Sequence, residues 1–312
     1  MESTDKIIKA NFTDVDIFIL LGFSEQSNIK GLLFCIFLII YTSILIGNGF
    51  IILIIKFDPA LQTPMYFFLG NFSFLEICYT SVTLPRMLKD FWTKNRDISL
   101  LSCAIQLCFF LILGVTECLL LAVMAYDRYV AICKPLYYTL IMDHKTCVQL
   151  VVGAWISGIP IQIGQVYQLF SLTFCDSNKL DHVFCDFPPV LELACGDTTL
   201  NEISFYADAL LFGMVPFLFI LNSYIKIITT ILRLPSELGR SKAFSTCSSH
   251  LIVVGLFFIS ASISYFQPKS SHSRGTGKVL SLFYTIVTPL FNPMIYSLRN
   301  KDFIKAIKKL SP

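Results

Sequence analysis

The stretch Met124–Cys133, M-A-Y-D-R-Y-V-A-I-C, decides how this chain is read. It ends a long apolar run and places Asp127, Arg128 and Tyr129 where the hydrocarbon of a bilayer would stop. Alone, the triplet is either a polar helix end or a switch at a membrane surface, and the plainer reading leads. Composition moves the balance. Only 14% of the residues are charged and 55% are hydrophobic, against about 25% charged in soluble domains. Mean hydropathy is +0.69. A net charge of +3 comes with no basic cluster large enough to hold nucleic acid.

About 20 mostly apolar residues are needed for a helix to cross the hydrocarbon layer. Seven segments qualify: Leu32–Ile55, Met65–Leu84, Leu100–Tyr126, Cys147–Gln168, Ile203–Leu232, Ala243–Phe266 and Val279–Leu298. Pro160, Pro216, Pro289 and Pro293 fall inside them, which packed membrane helices tolerate. The expected fold is an all-α seven-helix membrane bundle forming one domain over 1–312. Its first 30 residues show no basic region followed by an apolar core, so the first span is expected to serve as its own signal. Residues 169–202, the one long connection, form an acidic, cysteine-bearing cap. Residues 299–312 form a tail whose lysines alternate with Phe, Ile and Leu, a short amphipathic helix on the inner leaflet.

Of eleven cysteines, Cys103, Cys175, Cys185 and Cys195 lie in or beside polar loops, which fits two disulfides in an oxidising compartment. Asn11-Phe12-Thr13 is a glycosylation sequon on the same side. Both place residues 1–30 outside the cell, and an odd number of spans then puts the tail in the cytoplasm. No C-x-x-C or H-E-x-x-H is present, which argues against a zinc site.

Cys103 and Arg128 are 25 residues apart, about 37 Å of helix, so they mark opposite rims of one span. Glu117 is three helical turns before Arg128 on the same face. Glu76 is a second carboxylate at mid-membrane, where burial of an unpaired charge costs several kcal/mol. A proton or a sodium ion shared by Glu76 and Glu117, with help from Asn48 and Asn292, would relieve that cost. The plainer alternative is two neutral acids in a packing role.

Several motifs stand in order along the chain: Gly47-Asn48, Leu61–Tyr66 (L-Q-T-P-M-Y), Met124–Cys133, Ser223-Tyr224, Lys242–Leu251 (K-A-F-S-T-C-S-S-H-L) and Asn292–Asn300 (N-P-M-I-Y-S-L-R-N). In these the chain resembles a rhodopsin-like (class A) G-protein-coupled receptor, and within that group an odorant receptor of the tetrapod-type class II set. Gln62 and Phe258 depart from the usual His and Tyr of the pattern. The resemblance implies disulfides Cys103–Cys185 and Cys175–Cys195. It makes Asp127, Arg128 and Tyr129 the intracellular switch, with Tyr224 and Tyr296 rearranging around Arg128. It also implies a sodium pocket at the carboxylates, a plasma-membrane location, and coupling to a stimulatory, olfactory-type G protein that raises cyclic AMP.

The expected ligand site lies beneath the cap. On the third span Leu107, Phe110, Leu111 and Gly114 fall on one face; on the sixth, Phe258, Ser262 and Tyr265 do the same. Helix packing explains either stripe equally well. The outer third span holds no Asp and the middle of the seventh no Lys, so the counter-ion of amine-hormone receptors and the Schiff base of retinal proteins have no place here. Asp208 is the one acidic candidate for a cationic or donor ligand, although a hydrated residue at the lipid boundary is the leading reading of it. A small, largely apolar, volatile ligand is expected, with no required cofactor. Rival functions are a class A receptor for a lipid-like or metabolite ligand, or an ion-coupled transporter, which would show internal repeats. Of the histidines only His250 approaches a span, with no nucleophile motif, so catalysis is not expected.

Overall fold

A computed structural model describes residues 16–22, 30–93, 95–175, 178–233, 235–265, 282–298 and 301–310. Five helices are long and apolar enough to cross a bilayer: α1 (Lys30–Phe57), α2 (Pro64–Trp92), α3 (Leu100–Cys133), α4 (His144–Phe170) and α5 (Thr199–Leu232). Helix α6 (Glu237–Tyr265) carries the apolar stretch Cys247–Ile263, and α7 (Thr288–Leu298) follows a π-helical turn at Phe283–Val287. Helix α8 (Lys301–Leu310) is the amphipathic tail. Helix α3 is the axis, packed against α2, α4 and α5. Its apolar stretch is 61% buried, against 22% for α1. Ile39, Ile46 and Leu53, seven residues apart, form an exposed apolar stripe on α1, as expected where lipid replaces water.

The helix starts follow from local chemistry. Pro64 opens α2 where its missing N–H costs nothing. Ser99 Oγ accepts from the Ser102 amide at 3.2 Å, and Asp143 Oδ1 from the Thr146 amide at 2.9 Å. The Thr146 bonds hold the Asp143 carboxyl below the usual carboxylate range. That cap is therefore in place at neutral pH and is lost only as pH falls through this lowered value. Helix α3 runs to Cys133, seven residues past the apolar limit, so Arg128 lies inside a helix and not at its end.

Small residues set two close crossings. A Cβ at Gly158, where α4 bends, would come within 2.7 Å of Val115 on α3; one at Gly47 would meet Pro293 on α7 at 3.3 Å. Prolines shape the other irregularities. Pro216 cannot donate to the preceding turn, and the chain answers with a π-helical turn at Ala209–Met214, the Val215 amide reaching Leu210 O. The turn at Phe283–Val287 stands in the same relation to Pro289.

At the end opposite α8 a second core forms. Strand β1 (Ile17–Leu20) lies between β2 (Asp97–Ser99) and β3 (Lys179–Leu180), antiparallel to the first and parallel to the second. Phe18, Leu20, Ile98 and Leu180 bury against Cys103, Leu107, Leu169, Cys185 and Phe187. Residues 1–30 were expected only as an extracellular N-terminus; four of them make the central strand of this sheet. Asn11 lies outside the described residues.

Candidate functional site

The cap is tied twice. Cys103 at the start of α3 is bonded to Cys185, and Cys175 to Cys195, with Cα–Cα distances of 5.5 and 6.1 Å. Gln106 joins three elements: its Oε1 accepts from the Cys185 amide at 3.1 Å and its Nε2 donates to Val82 O at 2.9 Å.

Beneath the cap is a cavity of about 160 Å³ between α3, α5 and α6. Phe110, Leu111, Gly114, Asp208, Phe258 and Ser262, all named as candidates for the site, line it. Leu107 does not; it is fully buried in the cap core. The four-residue stripe was extended one turn too far outward, into the level where the cap covers α3. The Tyr265 side chain lies outside the described residues. Tyr79, Phe205, Phe212, Met214 and Phe257 also line the cavity, and sequence reading missed them. Phe212 and Met214 face inward through the π-helical turn, which no helical period predicts. Phe205 is recruited by stacking on Phe187 of the cap, ring centroids 4.5 Å apart and interplanar angle 6°. Asp208 was expected at a lipid boundary; the structure puts it in the cavity wall, with Gln162 Nε2 donating to both carboxylate oxygens at 2.9 Å.

At the level of the cavity floor, Glu76 and Glu117 are 0% and 1% exposed, close enough for their charges to act on each other. Asn48 is equally buried, and its amide donates to Ile44 O and Pro289 O at 3.1 and 3.3 Å, tying α1 to α7. Among the described residues, its Oδ1 and Glu117 Oε1 have no hydrogen-bond partner. Among the described residues no cluster of three or more His, Cys, Asp or Glu side chains could hold a metal. The Asn292 side chain lies outside the described residues.

At the α8 end, Asp127 is buried and accepts from the Tyr138 hydroxyl at 2.8 Å. Burial and the Asp127 carboxylate push that hydroxyl above its ordinary value, so it stays protonated and donating at physiological pH. Arg128 reaches the Met65 thioether at the start of α2. Tyr129 lies under Lys226, 5.7 Å from its ring centroid. Tyr224 on α5 shares a 2.8 Å hydrogen bond with His250 on α6, their rings stacked. His250 and Tyr138 belong to this cluster and were missed, because both act across elements and neither spacing nor composition marks them. The Tyr296 side chain lies outside the described residues. Gln62 donates to Ile55 O at 3.1 Å, closing the inner end of α1.

These features define a seven-helix receptor of the rhodopsin-like fold. Squid rhodopsin superimposes with a TM-score of 0.76 at 19% identity, over 92% of this chain and 81% of its own. The family model described as "Olfactory receptor" matches residues 34–311. Human olfactory receptor 10AG1 is 59% identical over 94% of this chain and 97% of its own length, and human olfactory receptor 10A7 is 50% identical over 97% and 96%. The chain belongs to the olfactory receptor family. It is accordingly a multi-pass membrane receptor and not an enzyme.

Proposed function

We propose that this receptor binds a small, mostly apolar volatile molecule in the cavity between α3, α5 and α6 and activates a stimulatory, olfactory-type G protein, raising cyclic AMP. The cavity carries this reading. An apolar cavity of about 150 Å³ holds a benzene-sized guest, so 160 Å³ lined mainly by Phe, Leu, Met and Gly matches a volatile molecule and is too small for a peptide. The disulfides and the strand beneath the cap support an extracellular N-terminus, since such bonds persist in oxidising compartments. Gly114 offers the test. A Cβ there meets nothing within 4 Å, so the backbone accepts a side chain and Gly114→Leu takes up space in the cavity. In cells co-expressing the G protein, an odorant panel should raise cyclic AMP through the unaltered receptor. Gly114→Leu should need at least about tenfold more of each active odorant at equal surface expression. Silence across the panel, or an unmoved dose response, rejects the reading.

The same proposal extends to the paired carboxylates. Glu76 and Glu117, with the Asn48 side-chain oxygen as a third buried acceptor, would offer oxygen ligands suited to a hard cation such as sodium. Replacing sodium by choline should raise basal nucleotide exchange in the unaltered receptor and leave Glu117→Gln unmoved. Equal responses in both would leave a shared proton as the answer.

A further inference from the structure

Asp208 is the acidic residue in the cavity wall, and Lys, Arg and His are absent from the described lining. Its described partner is Gln162 of α4, fully buried, whose amide nitrogen lies 2.9 Å from both carboxylate oxygens. An amide is neutral. It orients a carboxylate but does not cancel its charge, and each oxygen keeps a further lone pair. The other polar groups in the wall, Tyr79 and Ser262, can donate or accept and so cannot discriminate between ligand types. An ionised carboxylate only accepts. Gln162 is itself set by its helix: Gln165, three residues on, donates to Ser204 O at 3.1 Å, so α4 and α5 are bonded at two levels and Asp208 has a fixed direction.

We propose that Asp208, positioned by Gln162, makes this cavity selective for ligands that carry a hydrogen-bond donor at one end, an alkyl alcohol or a protonated alkyl amine. The inference rests on the cavity being the odorant site. Gln162 leaves the carboxylate's charge uncancelled and a lone pair open on each oxygen, which is costly in an apolar wall, and a donor head group relieves that cost where an aldehyde carbonyl, an acceptor, cannot. The site thereby resembles one built to reject the analogue lacking the donor.

The test uses the full receptor in cells with the olfactory-type G protein and three carbon-matched series: 1-alkanols, 1-alkylamines and aldehydes of about five to seven carbons, sized to the cavity. An alcohol or an amine should act at about tenfold lower concentration than its matched aldehyde. Asp208→Leu and Gln162→Leu should collapse that ratio toward one. The ratio is the readout because a merely structural tie between α4 and α5 would weaken all three series together. Asp208→Asn, which keeps an acceptor but no charge, assigns the head group: loss for amines alone marks a cation, and loss for both marks the paired acceptor geometry. If Asp208→Leu fails to reach the surface, Gln162→Leu and Asp208→Asn carry the same comparison. A ratio near one in the unaltered receptor, a ratio that survives all the variants, or a parallel fall of every series overturns the inference. Silence of all three series with surface expression confirmed rejects the receptor reading as well.

Discussion

Arg128→Ala should leave a receptor that reaches the cell surface and binds ligand normally yet raises no cyclic AMP. The cavity-lining residues of α3 end at Cys118, ten residues before Arg128, which is about 15 Å of helix. The substitution therefore cannot touch a ligand, and Ala keeps the helix intact. What it removes is a cation at the junction of three elements. Arg128 reaches Met65 on α2, its neighbour Asp127 is bonded to Tyr138 beyond the end of α3, and Tyr224 and His250 join α5 to α6 nearby. Cyclic AMP measured beside surface staining decides the matter. A well-expressed Arg128→Ala receptor that signals normally would sink the switch assignment.

The second large effect is on folding. Cys103→Ser should nearly abolish surface expression, and Cys175→Ser should reduce it less. Both Cys103 and Cys185 are fully buried, and their bond closes an 82-residue separation. Chain-entropy arguments put such a cross-link at about 4 to 5 kcal/mol, and the 20-residue Cys175–Cys195 loop at about 3. The first loss also undoes the seat of Gln106, which joins α2, α3 and the cap. Immunodetection on intact cells ranks the variants. Equal surface levels for Cys103→Ser and the unaltered chain would show that the cap does not need this bond.

What could be read in advance was whatever one segment declares by itself. Apolar length marks α1 to α5, a polar triplet in an apolar run marks Asp127 to Tyr129, and the lysine spacing marks α8. The face of α3 that carries Phe110, Leu111 and Gly114 followed from helical period alone. Features made by two segments were not legible. Gln162 is an unremarkable polar residue until Asp208 of α5 stands opposite it, and His250 until Tyr224 does. The inward turn of Phe212 and Met214 depends on a π-helical turn forced by a proline downstream, which breaks the period that the sequence argument relied on. Leu107 failed for the converse reason: it has the right period but lies at the level of the cap.

The strand at Ile17–Leu20 bears on the order in which the receptor is built. It is made early, yet its partner Leu180 lies 160 residues further along the chain. Its other partner, Asp97–Ser99, comes after α2. The sheet can close only once α1 to α4 are inserted and the cap has been carried across, so the outer face is assembled late and through contacts of very long sequence separation, the slow kind. Until then Phe18 and Leu20 remain without their burial partners. The interval between synthesis of the strand and delivery of the cap is thus a window in which a nascent receptor of this design is open to misassembly and to quality control.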